Sequence, residues 1–207
     1  MELFLTLVSG IAWTIVYIDC IRLGIKQKTY GIPLFALALN IAWEVIYTVS
    51  GLSSPNVQSI VNLIWACCDV VIVYTYFKYG KKYFPENAKK HFLSFSLVSF
   101  FTSIALQLAF YFHFTWTEAP LYSAFAQNVV MSILFVYMLF SRKSSEGQSM
   151  AIAIAKWLGT LAPTLLLGVY RDINIYVIIT GALCSVWDLI YIYQLNKKIK
   201  EEKLAVA

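Results

Sequence analysis

The chain has 207 residues, of which 60% are apolar and only 13% charged, with a mean hydropathy of +0.70. Soluble domains carry about 25% charged residues, so this composition excludes an ordinary soluble globule and describes a polytopic membrane protein. The net charge of +5 gathers in loops on one side of the expected membrane, and no nucleic-acid partner is read from it.

Seven apolar stretches follow one another: Leu3–Ile21, Pro33–Ser50, Val57–Phe77, Phe92–Phe112, Pro120–Phe140, Met150–Val169 and Ile173–Leu195. Each approaches the ~20 residues that a helix needs to cross the hydrocarbon layer. The expected fold is therefore all-α, a seven-transmembrane helix bundle formed as one domain over residues 1–207. The first span follows Met1-Glu2 without the basic region and small-residue cleavage site of a signal peptide, so it is expected to be retained. Gly31-Ile32-Pro33 opens span 2, and the segment from Gly51 to Asn56 reads as a turn. Tyr83-Phe84-Pro85-Glu86-Asn87 and the run from Arg142 to Gly147 are further polar breaks. Pro163, inside span 6 and four residues after Gly159, is expected to kink that helix.

Fourteen of the sixteen basic residues fall after spans 1, 3, 5 and 7, Arg171 alone falls on the other side, and Lys156 stands near the start of span 6. The positive-inside rule then places the N-terminus outside and the C-terminus inside. All four cysteines (Cys20, Cys67, Cys68 and Cys184) lie within spans, which argues against a disulfide framework. His91 and His113 sit at span ends, and no metal-ligand cluster is legible. Asp69, Tyr74 and Lys78 in span 3 share their spacing with Asp188, Tyr193 and Lys197 in span 7. That match is compatible with a three-plus-one-plus-three repeat.

Four carboxylates stand inside the spans: Asp19, Glu44, Asp69 and Asp188. A charge at the bilayer centre costs at least ~2.5 kcal/mol, so such groups are rarely kept without a use or a partner. Asp19, with Arg22 one turn later, reads as a local ion pair. At helical spacing, span 2 stacks Asn40, Glu44, Tyr47 and Gly51, span 3 stacks Asn62, Trp65, Asp69 and Tyr76, and span 7 stacks Gly181, Cys184, Asp188 and Tyr191. Counted at ~1.5 Å per residue from the basic side, Glu44 lies ~16 Å deep and Asp188 ~10 Å deep. The two are expected to face one cavity and to share a proton. Asp69 reads equally well as a brace and as a third acid.

Three words along these faces resemble a known family. Asn40-Ile41-Ala42-Trp43-Glu44-Val45-Ile46-Tyr47 resembles the span-2 motif of the integral-membrane terpene cyclases of fungal meroterpenoid and indole-diterpene pathways, which also have bacterial relatives. The stretch from Trp65 to Gly80, with Asp69 inside it, is similar to the third-span signature, and Trp187-Asp188-Leu189-Ile190-Tyr191 resembles the last-span motif. The short, lysine-rich chain looks more like a bacterial member, placed in a bacterial cell membrane. The resemblance implies a cyclase that starts carbocation chemistry by protonation, with Glu44 and Asp188 as the paired acids. It implies a lipophilic prenylated substrate, probed first as an epoxide, that enters from membrane lipid. No DDxxD magnesium motif occurs, and no cofactor is expected.

The chemistry suits these residue types. Burial and a second nearby carboxyl keep an acid protonated near neutral pH, while aromatic faces stabilise a cation by ~0.5–2 kcal/mol each. Asn40, Trp43, Tyr47, Asn62, Trp65, Trp187 and Tyr191 are the expected substrate-binding residues. A second reading stays open, a small proton-coupled or solute transporter in which the same acids carry protons or bind a cationic solute.

Overall fold

The computed structural model describes residues 1–52 and 57–205; the turn expected over 51–56 therefore lies in large part outside the described residues. Among these, the chain forms α1 (Glu2–Lys26), α2 (Leu34–Gly51), α3 (Val57–Tyr79), α4 (Phe92–His113), α5 (Glu118–Arg142), α6 (Met150–Leu165) and α7 (Ile175–Leu204). Seven helical segments are long and apolar enough to cross a membrane. The basic loop expected around residues 83–87 is built from two short 3₁₀ helices, Gly80–Tyr83 and Glu86–His91.

Local chemistry starts and bends these helices. The Ser149 and Asn174 side chains accept from the backbone N–H of Ile152 and Val177 and so cap α6 and α7, satisfying donors that a helix start leaves orphaned. Pro163 has no N–H to give to the carbonyl of Gly159. Ser9 of α1 fills that vacancy, its Oγ donating to Gly159 O at 2.8 Å. A Cβ at Gly159 would stand 2.9 Å from the Trp13 indole, so the glycine is what lets α1 and α6 close up. The chain past Pro163 widens into a π-helical turn, Leu166–Tyr170.

The packing is symmetric in kind. α3 packs on α1 and α2, α7 packs on α5 and α6, α1 lies against α6, and α2 lies against α5. These neighbours are the ones that a repeat of α1–α3 as α5–α7 requires, with α4 as the link. At the end bearing the basic loops, the Arg142 guanidinium sits 4.1 Å from the Tyr30 ring centroid and 4.2 Å from that of Tyr83. It also donates to the carbonyls of Tyr30 and Glu146. The loops of both halves are tied together there by one side chain. Asp19 is bound by Arg22 at 2.6 Å, the local pair expected from the sequence, and also receives the Ser149 hydroxyl.

Candidate active site

Two buried polar clusters occupy the bundle, one in each half. The first joins α1, α2 and α3. Asn40 Nδ2 lies 2.6 Å from Tyr17 Oη, 2.9 Å from Asp69 Oδ2 and 3.1 Å from Glu44 Oε1, its two N–H protons shared among the three oxygens. The Tyr17 hydroxyl donates in turn to Glu44 Oε1. Asn40 thus bridges the Glu44 and Asp69 carboxyls, and both side chains are buried, at 1% and 0% exposure. Gln127 of α5 donates to Asn40 Oδ1 at 3.4 Å, and Gln107 of α4 donates to Gln127 at 2.8 Å. Five helices thus contribute to a single hydrogen-bonded chain. Among the described residues no cation pairs with either acid.

The second cluster joins α5, α6 and α7. Lys156 Nζ lies 2.6 Å from Asp188 Oδ1 and donates to Ser132 Oγ at 2.7 Å. Lysine and aspartate are both 0% exposed. The elements correspond to those of the first cluster: a carboxyl from the third helix of the half, a nitrogen donor from the second and a hydroxyl from the first. The difference is the donor, a neutral amide in one half and an ammonium in the other.

A cavity of about 860 Å³ lies toward the ends of the spans opposite the basic loops, and it is within the ~300–1,000 Å³ range of small-molecule sites. Trp13, Trp43, Tyr47, Asn62 and Trp65 line it, with Trp116, Phe125, Asn128 and Pro163. Leu7, Ile11 and Ile15 also line it and are more than 40% exposed, so the cavity reaches the lipid-facing surface along α1. The Tyr17 ring stacks on Trp65 at 5.7 Å. None of Tyr17, Asn40, Glu44 and Asp69 lines the cavity; the acid cluster lies behind its Trp65 wall, on which Tyr17 stacks.

Several sequence expectations change. Glu44 and Asp188 do not form one hydrogen-bonded group; Glu44 is joined to Asp69 through Asn40, and Asp188 to Lys156. The reason is the packing of α7 between α5 and α6, which gives Asp188 a cation in its own half. Of the expected substrate-binding residues, Trp43, Tyr47, Asn62 and Trp65 line the cavity, while Asn40 lies in the acid cluster. Trp187 and Tyr191 do not line it: Trp187 packs against the core, and Tyr191 meets Phe135 and donates to Gln148 at 3.0 Å. Trp116, in the turn between α4 and α5, borders the cavity as well. Tyr17, Gln107, Gln127, Ser132 and Lys156 were not singled out by the spacing arguments, although an intramembrane glutamine or lysine is itself a signal.

A seven-span bundle with a cation-free carboxyl pair beside an aromatic cavity defines an integral-membrane protein equipped for an apolar ligand. The family model described as Pyr4-like transmembrane terpene cyclases matches residues 1–177, and the chain belongs to that family. It is 32% identical over 165 residues to the Pyr4-family terpene cyclase mfmH of Annulohypoxylon moriforme, covering 76% of this chain and 66% of that protein. The terpene cyclase andB of Emericella variicolor is 28% identical over 159 residues (76% and 67% covered). Asnovolin H synthase nvfL of Aspergillus novofumigatus is 28% identical over 170 residues (76% and 65% covered). The chain thus spans about two thirds of the length of the curated relatives it matches. These relatives are fungal, and they lend no support to the bacterial placement expected from the short, lysine-rich chain. No solved structure matches.

Proposed function

We propose that this protein is a proton-initiated terpene cyclase in which Glu44 and Asp69 hold one proton between them and Glu44 delivers it. Two neighbouring carboxylates bridged by a neutral amide and without a cation would place like charges in a low-dielectric interior, and a single shared proton relieves that repulsion. The cation-free Glu44–Asn40–Asp69 bridge beside the cavity carries the reading. Family membership supports it. The bundle acts as one seven-helix domain, with its basic loops on the cytoplasmic side.

The substrate class is a prenylated molecule carrying a terminal epoxide, entering from lipid along the exposed side of α1. The proton passes from the Glu44 carboxyl to the epoxide oxygen. The C–O bond at the more substituted carbon breaks, leaving a hydroxyl and a carbocation. Alkene π electrons then form the ring bonds, and loss of a C–H proton to a base ends the sequence, so the product has the mass of the substrate. Trp65, Trp43 and Tyr47 present π-faces to the migrating charge. Asp188 is held in its ion pair with Lys156 and braces the second half.

Incubating membranes that contain the protein with terminally epoxidised farnesyl phenols tests the reading. A cyclised isomer of unchanged mass, absent with Glu44→Gln, is expected. An amide hydrogen bonds but does not deliver a proton as a carboxylic acid does. A well-folded Glu44→Gln variant that still cyclises the epoxide removes the assignment.

A further inference from the structure

The Glu44 carboxyl is bound unevenly. Its Oε1 receives two donors, the Tyr17 hydroxyl and the Asn40 amide, whereas Oε2 receives none. Asp69 repeats the pattern, with Oδ2 bound by Asn40 and Oδ1 without a donor. Once such a carboxyl is protonated, the oxygen that accepts two hydrogen bonds serves as its carbonyl oxygen and the proton falls on the other. Tyr17 is held in this role from three sides. Asn40 donates to its oxygen, its ring stacks on Trp65, and Trp13 stands 6.5 Å away on the same helix. Trp13 and Trp65 are themselves cavity walls, so the residue that orients the acid is fixed by the surfaces that would contact a substrate.

We infer that Tyr17 is a positioning residue for the cyclisation, its hydroxyl pinning Glu44 Oε1 so that Oε2 carries and presents the proton. This rests on Glu44 being the acid, as proposed above. Tyr17 touches the acid rather than the reacting atoms and acts through it. Substrate binding uses the cavity walls and is left largely intact when the hydroxyl is removed.

Two measurements on the full chain in lipid nanodiscs test it. In the infrared, the carbonyl stretch of the protonated acid is assigned by its loss in Glu44→Gln. Tyr17→Phe then shifts that band to higher frequency, because the carbonyl oxygen has lost a donor. With a terminally epoxidised farnesyl phenol as probe, Tyr17→Phe lowers kcat about 10–100-fold, the scale of a misplaced reacting group, and leaves KM within about twofold. Replacing Tyr17 by 3-fluorotyrosine keeps the ring and the donor; it restores kcat and moves the band back, and it serves as the test if the phenylalanine variant does not fold. An acid band and a kcat that are unchanged in folded Tyr17→Phe overturn the inference while leaving Glu44 as the acid. Cyclisation by folded Glu44→Gln overturns the proposed function itself, a separate result.

Discussion

The two halves of the bundle hold the same kind of polar cluster and differ by one charge. In the first half Asn40 bridges Tyr17 and Asp69 and also reaches Glu44; in the second, Lys156 bridges Ser132 and Asp188. An ammonium compensates a buried carboxylate outright, and such a pair is strongly destabilised when one partner is removed. An amide offers hydrogen bonds without charge, so the carboxyls around it stay mutually uncompensated. Under the proposed function, what separates the acid that gives up a proton from the acid that holds helices together is not place in the fold but the neighbour on the second helix.

Exchanging that neighbour is the sharpest way to break the comparison. Asn40→Lys brings an ammonium to Glu44 and Asp69, and cyclisation should fall by about 10²–10⁴, the usual contribution of a positioned general acid. Helix content should persist, since the second half accommodates the same arrangement. Circular dichroism and product formation from an epoxide probe check the two parts together. Wild-type turnover in a folded Asn40→Lys protein would remove the role of charge.

The second half is tested by stability. Lys156→Met leaves Asp188 buried without its cation and should cost about 3–5 kcal/mol. Lys156→Met combined with Asp188→Asn removes both charges and should recover most of that loss. Denaturant unfolding of the variants in detergent measures it, and additive losses would mean that the two side chains do not act as a pair.

The smallest effect lies in the loops. Partial burial pushes the Glu146 carboxyl up, but hydrogen bonds from Lys82 and Tyr83 outweigh this and hold it below its ordinary value. A lowered value means that the interaction's stabilising effect is present above the unfolded-state pKa and is lost as pH falls through the folded one. The pair, 2.7 Å apart and partly exposed, should contribute no more than about 1 kcal/mol. Glu146→Gln should flatten the acid side of the pH–stability curve by that amount, and thermal unfolding followed from neutral pH down to below the ordinary glutamate value of ~4.3 reads it.

Span number, helix faces and the Asp19–Arg22 pair were legible in the sequence, because hydropathy and the 3.6-residue period act locally. Asn40, Glu44 and Tyr47 are buried on one face of α2, as their spacing implied, as are Gly181, Cys184, Asp188 and Tyr191 of α7. Partner choice was not legible in the same way. Matching the Trp43-Glu44 and Trp187-Asp188 words suggested a single site, yet α7 turns Asp188 toward Lys156. Lys156 counted as a residue near a span start, although it lies six residues inside α6, about 9 Å from the first helical residue. Tyr17 looked like any other aromatic of a span, since only the packing of α1 and α2 together on α3 brings its hydroxyl to Glu44. Which helix faces which is a long-range property, and the repeat hinted at by Asp69 and Asp188 was the one sequence signal that bore on it.

The most direct test compares two double variants in nanodiscs with the same epoxide probe, Glu44→Gln/Asp69→Asn against Lys156→Met/Asp188→Asn. The account predicts no cyclised product from the first and, from the second, turnover within about tenfold of wild type once folding is confirmed, the scale of a modest loss of positioning. Product from the first, or a folded but inactive second variant, would contradict it and move the proton to Asp188.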